Sequence, residues 1–223
     1  MSEAAIRTAI VEVNAELERL RMNVCSTGNI SVRWHDGMLI TPAGCRVETL
    51  APEHIVFCRF DDTWDGALRP SSEYAMHRAV YQHAPTGKAV VHTHADHCVA
   101  LSTFRQPIPS FHYMVNGFGG MDVPCVGYFP FGSEELGQAA GLALKDRTAC
   151  LLANHGMLAR GTTLLSAFET ALKLETLARQ YLLARTLGAP TLLTADEWVV
   201  VQQQYKTYGK AQALDQQPRW QLP

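Results

Sequence analysis

Two β-branched residues followed by histidines spaced two apart, Val90-Val91-His92-Thr93-His94, constrain this chain more than any other stretch. They follow the breakers Pro85 and Gly87, so Ala89 to His94 reads as a buried strand. Side chains alternate along a strand, which puts His92 and His94 on one face, roughly 6–7 Å apart at the backbone. Two imidazoles at that spacing can converge on one cation, with Zn–N bonds of about 2.0–2.1 Å. A second apolar run, Ala149 to Ala153, ends in Asn154-His155-Gly156 and reads as a neighbouring strand, making His155 a candidate third ligand. A lone His-x-His is common by chance. Placement of both histidine groups at strand ends, where sheet proteins build their sites, is what gives the pattern weight. Three histidines with an open fourth position describe a catalytic zinc, whereas structural zinc sites are closed and rich in cysteine. The six cysteines, Cys25, Cys45, Cys58, Cys98, Cys125 and Cys150, form no Cys-x-x-Cys pair and read as small core residues.

The 223 residues, 47% hydrophobic and 18% charged, suit one large domain, expected over residues 1–210, with a glutamine-rich, loosely held tail over 211–223. A net charge of -2 offers no footprint for nucleic acid or an anionic membrane. No N-terminal targeting signal stands out, and no apolar run approaches the ~20 residues that span a bilayer. With scattered cysteines, the expectation is a soluble protein of a reducing compartment, most simply the cytoplasm.

Taken in order, Ser2 caps a first helix whose inner face carries Ile6, Ile10, Val13, Leu17 and Leu20. Ile30 to Trp34 and Met38 to Thr41 form a hairpin about His35-Asp36-Gly37. A helix through Tyr74, His77 and Val80-Tyr81 starts near Ser71 or Ser72, with Glu73 in its first turn. A short helix runs from Ala95, and Met121 to Gly127 reads as a strand that Pro124 confines to an edge. Ser133 caps a helix to about Lys145, Met157 to Arg160 is a strand, and the longest helix spans about Leu164 to Leu187 before Gly188 and Pro190. Thr194 caps a last helix over Asp196 to Tyr208. Hairpins join some strands and helices join others, so the sheet is expected to be mixed or mainly antiparallel, with helices on its faces. No Gly-x-Gly-x-x-Gly or Walker loop is present.

Three polar turns could receive an anion: Ser26-Thr27-Gly28-Asn29, Thr41-Pro42-Ala43-Gly44 and Pro70-Ser71-Ser72-Glu73. Glycine admits close approach to backbone N–H groups, and Ser71-Ser72 stand where a helix N-terminus attracts phosphate. Any one of them alone is equally an ordinary turn or N-cap. Glu73 is an ordinary first-turn carboxylate unless it faces the histidines, where it could act as a general base.

These stretches, with His112-Tyr113-Met114 and Lys206-Thr207-Tyr208-Gly209, resemble the class II aldolase/adducin family, and within it the bacterial L-fuculose-phosphate aldolase branch. The resemblance implies a three-layer α/β/α sandwich around a mixed, mainly antiparallel sheet. It implies a homotetramer with active sites at subunit interfaces and one Zn²⁺ per subunit on His92, His94 and His155, with Mn²⁺ or Co²⁺ possible. Glu73 matches the acid/base and can touch the empty metal site. Gly28, Asn29, Ala43, Gly44, Ser71 and Ser72 match phosphate-binding positions, Tyr113 a tyrosine from the neighbouring subunit, and Tyr208 one on a C-terminal segment. The implied reaction is reversible cleavage of a ketose 1-phosphate, such as L-fuculose 1-phosphate or a 5-modified ribulose 1-phosphate, to dihydroxyacetone phosphate and an aldehyde.

Ala43 departs from the Ser or Thr frequent in the family, leaving backbone N–H groups at Ala43 and Gly44 as the expected phosphate donors. Asn116-Gly117-Phe118 is also unusual. Two other readings use the same scaffold: a pentulose-phosphate 4-epimerase or sugar-phosphate dehydratase, and a non-catalytic adducin-like binding domain. The epimerases use an Asp and a further His as acid/base where this chain has Glu73 and a C-terminal tyrosine. An intact set of three histidines and Glu73 argues against the binding domain.

Overall fold

In the computed structural model, which describes residues 2–207, β4 (Ala89–Thr93) is buried along its whole length at the centre of a seven-stranded sheet. Ahead of it come α1 (Glu3–Arg19), β1 (Asn29–Trp34), β2 (Gly37–Ile40), β3 (Val56–Arg59) and α2 (Tyr74–His83). After it come α3 (Asp96–Ser102), β5 (Cys125–Val126), α4 (Glu134–Ala143), β6 (Ala149–Leu152), β7 (Gly156–Gly161), α5 (Leu164–Thr186) and α6 (Ala195–Thr207). The strand order is β3-β2-β1-β4-β7-β6-β5. Only the β5–β6 edge pair is parallel, so the sheet is mixed and mainly antiparallel.

Two cores, one on each face of the sheet, make the three layers. Ala89 and Val91 of β4 pack with Ile30 and Val32 of β1 against Ile6, Ile10 and Leu17 of α1 and Phe168, Ala171 and Leu174 of α5. Val90 points the other way, joining Leu158 and Cys150 against Met76 and Val80 of α2 and Leu136 and Ala140 of α4. Because strand side chains alternate, His92 shares the α2 face with Val90, and Asn29 and Ser31 share that face on β1. Asn29 lies opposite His92 in the β1–β4 ladder. This register lays a row of polar side chains beneath one helix.

Several boundaries differ from expectation. Leu20 is the C-cap of α1 and stands 37% exposed, off the buried stripe. Strand β3 was not foreseen, although Ile55-Val56-Phe57-Cys58 carries the β-branched signal. The strand expected over Met121 to Gly127 shrinks to Cys125–Val126: Pro124 has no N–H to donate and only its carbonyl joins the edge, accepting from Leu151. Glu73 itself, not Ser71 or Ser72, occupies the N-cap position of α2, and its side chain is turned away from the helix backbone. Cys58, Cys98 and Cys150 are core residues, Cys45 and Cys125 are half-buried, and Cys25 is exposed; all six are free thiols. Tyr208 and the 211–223 tail lie outside the described residues. Among those described, no helix is long and apolar enough to cross a membrane.

Candidate active site

His92 leaves β4 with its Nδ1 2.8 Å from the carbonyl of Met157 on β7. A carbonyl only accepts, so Nδ1 carries a proton, and Nε2 is the nitrogen that faces the site. His94, two residues on, brings its Nε2 to 3.0 Å from that of His92. His155 arrives from the β6–β7 turn, where Asn154 adopts φ 54° and its side-chain oxygen accepts from Arg105 Nε at 2.8 Å. The next residue has to be glycine: a Cβ at Gly156 would stand 2.5 Å from the Thr93 carbonyl oxygen and 3.2 Å from the His94 ring. The three rings are mutually edge-on, with every pair of centroids 4.9 Å apart.

Glu73 completes the group. Its Oε2 is 3.2 Å from His92 Nε2 and its Oε1 3.3 Å from His155 Nε2. The ligand atoms of Glu73, His92, His94 and His155 all lie within 4.8 Å of one another, so the group can hold a metal ion. Glu73 Oε1 is buried and has no hydrogen-bond partner, while Oε2 accepts from Asn29 Nδ2 at 2.9 Å. A bare, buried carboxylate oxygen beside three convergent imidazoles is the donor set of a divalent cation, and three neutral histidines suit zinc or its first-row neighbours.

Burial opposes charge on Glu73, but His92 beside it and hydrogen bonds from His92 and Asn29 outweigh that and hold its carboxyl well below the usual carboxylate range. His92 is pulled down by burial and pushed up further by Glu73, ending above its ordinary value. Burial, then repulsion from His92, lowers both His94 and His155 to about 4. Those two are therefore neutral, ready ligands at neutral pH.

A cavity of about 320 Å³ opens from this cluster. Part of its wall is polar, formed by Ser26, Thr27, Gly28, Asn29, Ala43, Gly44, Ser71 and Ser72, and part is aromatic, formed by Tyr128, Phe129 and Phe131. Among the described residues, no lysine or arginine lines it. The structure thus brings together every expected site residue except two: Tyr113 is 49% exposed, stacked on His112 away from this cavity, and Tyr208 is not described.

Two details narrow the expectation for the polar wall. The Ala43 N–H, expected to be available, donates to the Arg69 carbonyl at 3.0 Å. The Asn29 side chain is spent between Glu73 and His77, whose Nε2 lies 2.5 Å from Asn29 Oδ1. Ser71 Oγ accepts from the Glu73 N–H at 3.3 Å, leaving its own proton to aim elsewhere.

Sequence reasoning missed the layer behind the site. His77 Nδ1 and Tyr81 OH each lie 2.7 Å from Ser31 Oγ, and all three are fully or almost fully buried. The signal was present as Glu73-x-x-x-His77-x-x-x-Tyr81 on one helix line over Asn29-x-Ser31 on one strand face. Four helical residues advance about 6 Å and two strand residues about 6.7 Å, so the rows stay in step. The aromatic wall, on a loop without periodicity, left no comparable signal.

The model of the Class II Aldolase and Adducin N-terminal domain family matches residues 8–182. The 5-methylthioribulose-1-phosphate/5-deoxyribulose-1-phosphate aldolase of Rhodospirillum rubrum is 41% identical over 217 residues, covering 97% of this chain and 98% of that protein. The L-fuculose phosphate aldolase of Escherichia coli K12 is likewise 41% identical, over 210 residues, 94% of this chain and 98% of that one. Among solved structures, an L-fuculose 1-phosphate aldolase superposes with a TM-score of 0.85 at 32% identity, covering 90% of this chain and 95% of the other.

Proposed function

Because the chain belongs to the class II aldolase and adducin family, we propose that it is a metal-dependent aldolase that reversibly cleaves a ketose 1-phosphate to dihydroxyacetone phosphate and an aldehyde. The observation that carries the reading is the bare Glu73 Oε1 beside three histidines, at a cavity lined by both polar and aromatic residues.

His92, His94 and His155 hold the cation, which we take to be Zn²⁺, one per subunit, with Mn²⁺ or Co²⁺ as substitutes. When bound, it supplies a Lewis acid where negative charge develops on the ketose oxygens as the bond between the third and fourth carbons breaks. Glu73, held ionised and with Oε1 unbonded, exchanges the proton at the third carbon of the triose product. Hydroxyls of Ser71 and Ser72, the N–H groups of the Gly28 and Gly44 turns and the N-terminus of α2 hold the phosphate, so that binding at the unreactive end orients the reacting one. With Ala43 contributing only a methyl and no cation on the wall among the described residues, hydrogen bonds supply this hold.

We assign Tyr128, Phe129 and Phe131, which line the same cavity, to the aldehyde end of the substrate, where they would favour an apolar terminus. Lactaldehyde, acetaldehyde and (methylthio)acetaldehyde fit; their parents are L-fuculose 1-phosphate, 5-deoxyribulose 1-phosphate and 5-methylthioribulose 1-phosphate. We assign Tyr113, which is exposed and outside its own chain's cavity, to the site of a neighbouring subunit in a homotetramer with shared sites. There it exchanges a proton with the aldehyde oxygen. Six free thiols suit a reducing compartment such as the cytoplasm.

The test is a screen of ketose 1-phosphates on metal-loaded protein with a coupled assay for dihydroxyacetone phosphate. Triose release from one of the three named sugars supports the reading. An epimer or a dehydrated product without triose overturns it, as does a protein with no affinity for Zn²⁺, Mn²⁺ or Co²⁺.

A further inference from the structure

We propose that Tyr81, Ser31 and His77 form a one-way hydrogen-bond relay that fixes Asn29, and through it Glu73, in the orientation the active site uses. His77 is then a positioning residue for a centre it never touches.

The direction of every bond follows from the end at Glu73. An ionised carboxylate only accepts, so the Asn29 amide must present Nδ2–H to Oε2, at 2.9 Å. That turns Asn29 Oδ1, also only an acceptor, toward His77 Nε2 at 2.5 Å, so Nε2 carries the ring proton. His77 is fully buried and neutral, which leaves Nδ1 bare to accept the Ser31 hydroxyl proton at 2.7 Å. The Ser31 oxygen, having given its proton away, accepts from Tyr81 OH at 2.7 Å. No link can be reversed without setting donor against donor or acceptor against acceptor. Glu73 and His92 are the ionisable groups that act on His77, Tyr81 lies beyond Ser31, and none offers Nε2 a second acceptor among the described contacts. The amide of Asn29 is consequently locked one way round, and Glu73 keeps Oε2 occupied and Oε1 bare. Were the amide to flip, its carbonyl oxygen would face the carboxylate and drive it off the histidines.

Two measurements test this on the zinc-loaded protein. Labelling histidine with ¹⁵N and recording two-bond ¹⁵N–¹H correlations identifies which His77 nitrogen is protonated; the signal is assigned by its loss in His77→Gln. An Nε2–H tautomer is expected, and an Nδ1–H tautomer overturns the relay whether or not any variant folds. In the second, His77→Leu lowers kcat about tenfold or more, the worth of a hydrogen bond to a charged group, with zinc retained. KM for the phosphorylated substrate should stay within about twofold, because the phosphate wall is untouched. His77→Gln, whose amide nitrogen reaches the Nε2 position, should recover most of the loss. Ser31→Ala should be milder than His77→Leu, and Tyr81→Phe mildest. Losses that follow melting temperature rather than place along the chain, or that fall on KM, make the row merely structural and overturn the proposal. The turnover arm rests on the aldolase reading, whereas the tautomer does not; wild type that releases no triose from any sugar while showing Nε2–H would sink that reading alone.

Discussion

Glu73, His92 and Asn29 are buried at the inner end of the cavity, while Ser26, Ala43, Gly44 and Ser72 are exposed at its outer end. The inner side chains spring from β1, β4 and α2, where strand and helix periods fix their directions and a second row of polar groups holds them from behind. At the outer end, turns supply the N–H and O–H groups. A cation needs several ligands at set distances simultaneously, and regular elements provide that. A phosphate accepts hydrogen bonds from many directions, and turns suffice.

The largest effect should come from breaking the inner end. His155→Ala removes one of three imidazoles from a cluster that has no spare histidine or cysteine within reach among the described residues. Metal content should fall with activity, by several kcal/mol of lost charge stabilisation or roughly a thousandfold. Full metal and turnover in this variant would remove His155 from the ligand set.

Next comes the outer end. Ser71→Ala and Ser72→Ala each remove a hydroxyl that we propose holds the phosphate, worth roughly 1.5–3 kcal/mol or about ten- to a hundredfold in KM for phosphorylated substrates. Metal content should not change, which separates the two ends in a single pair of measurements. Equal cleavage of unphosphorylated ketoses by wild type would show that the polar wall holds no phosphate.

How far this division was visible beforehand follows the same line. His92, His94 and His155 could be read because a two-residue strand period and a strand-end position are sequence properties. Glu73 was legible by its place near a helix start, but its identity as the N-cap, with the carboxylate turned outward, depends on a φ of -102° that no residue type announces. The His77 row was written in the four-residue spacing, yet an amphipathic helix explains such spacing equally well without a partner strand in register. Tyr113 was read through resemblance, and nothing within one chain gives an exposed tyrosine a role.

The ends also differ in what pH can do to them. Ser26, Thr27, Gly28, Pro42, Ala43, Gly44, Ser71 and Ser72 contain no titrating side chain, so acid acts on the inner end. Burial, then repulsion from His92, lowers His77 from 6.5 to about 3. As pH falls below 6.5 the unfolded chain takes up a proton the folded one refuses, so stability present above 6.5 is lost toward pH 3. At pH 5 the loss from His77 is about 2 kcal/mol. Lowered His94 and His155 add to it in metal-free protein, while His92, raised, contributes stability that fades as pH rises instead. Urea midpoints of metal-free wild type and His77→Gln at pH 7 and pH 5 check this. The variant should show the shallower pH dependence, and equal slopes would mean that His77 is not buried neutral.

The smallest effects, and the sharpest comparison, lie within the outer end. Gly28 and Gly44 both adopt left-handed backbone, with φ of +74° and +67°. Alanine at either position pays a similar backbone strain of about 1 kcal/mol. Their surroundings differ: a Cβ at Gly28 would stand 2.3 Å from the Oδ1 of buried Asn23, whereas at Gly44 nothing lies within 4 Å. Asn23 Oδ1 also accepts from the His94 N–H at 3.4 Å, so pressure at Gly28 passes to the inner end. Gly44→Ala should therefore raise KM modestly and leave metal affinity alone. Gly28→Ala should lose more stability and also weaken metal binding, because Asn23 must move and His94 with it. Isothermal titration of Zn²⁺ into both metal-free variants decides the point: equal affinities would show that the two ends of the cavity are mechanically independent, and that Asn23 yields without disturbing His94.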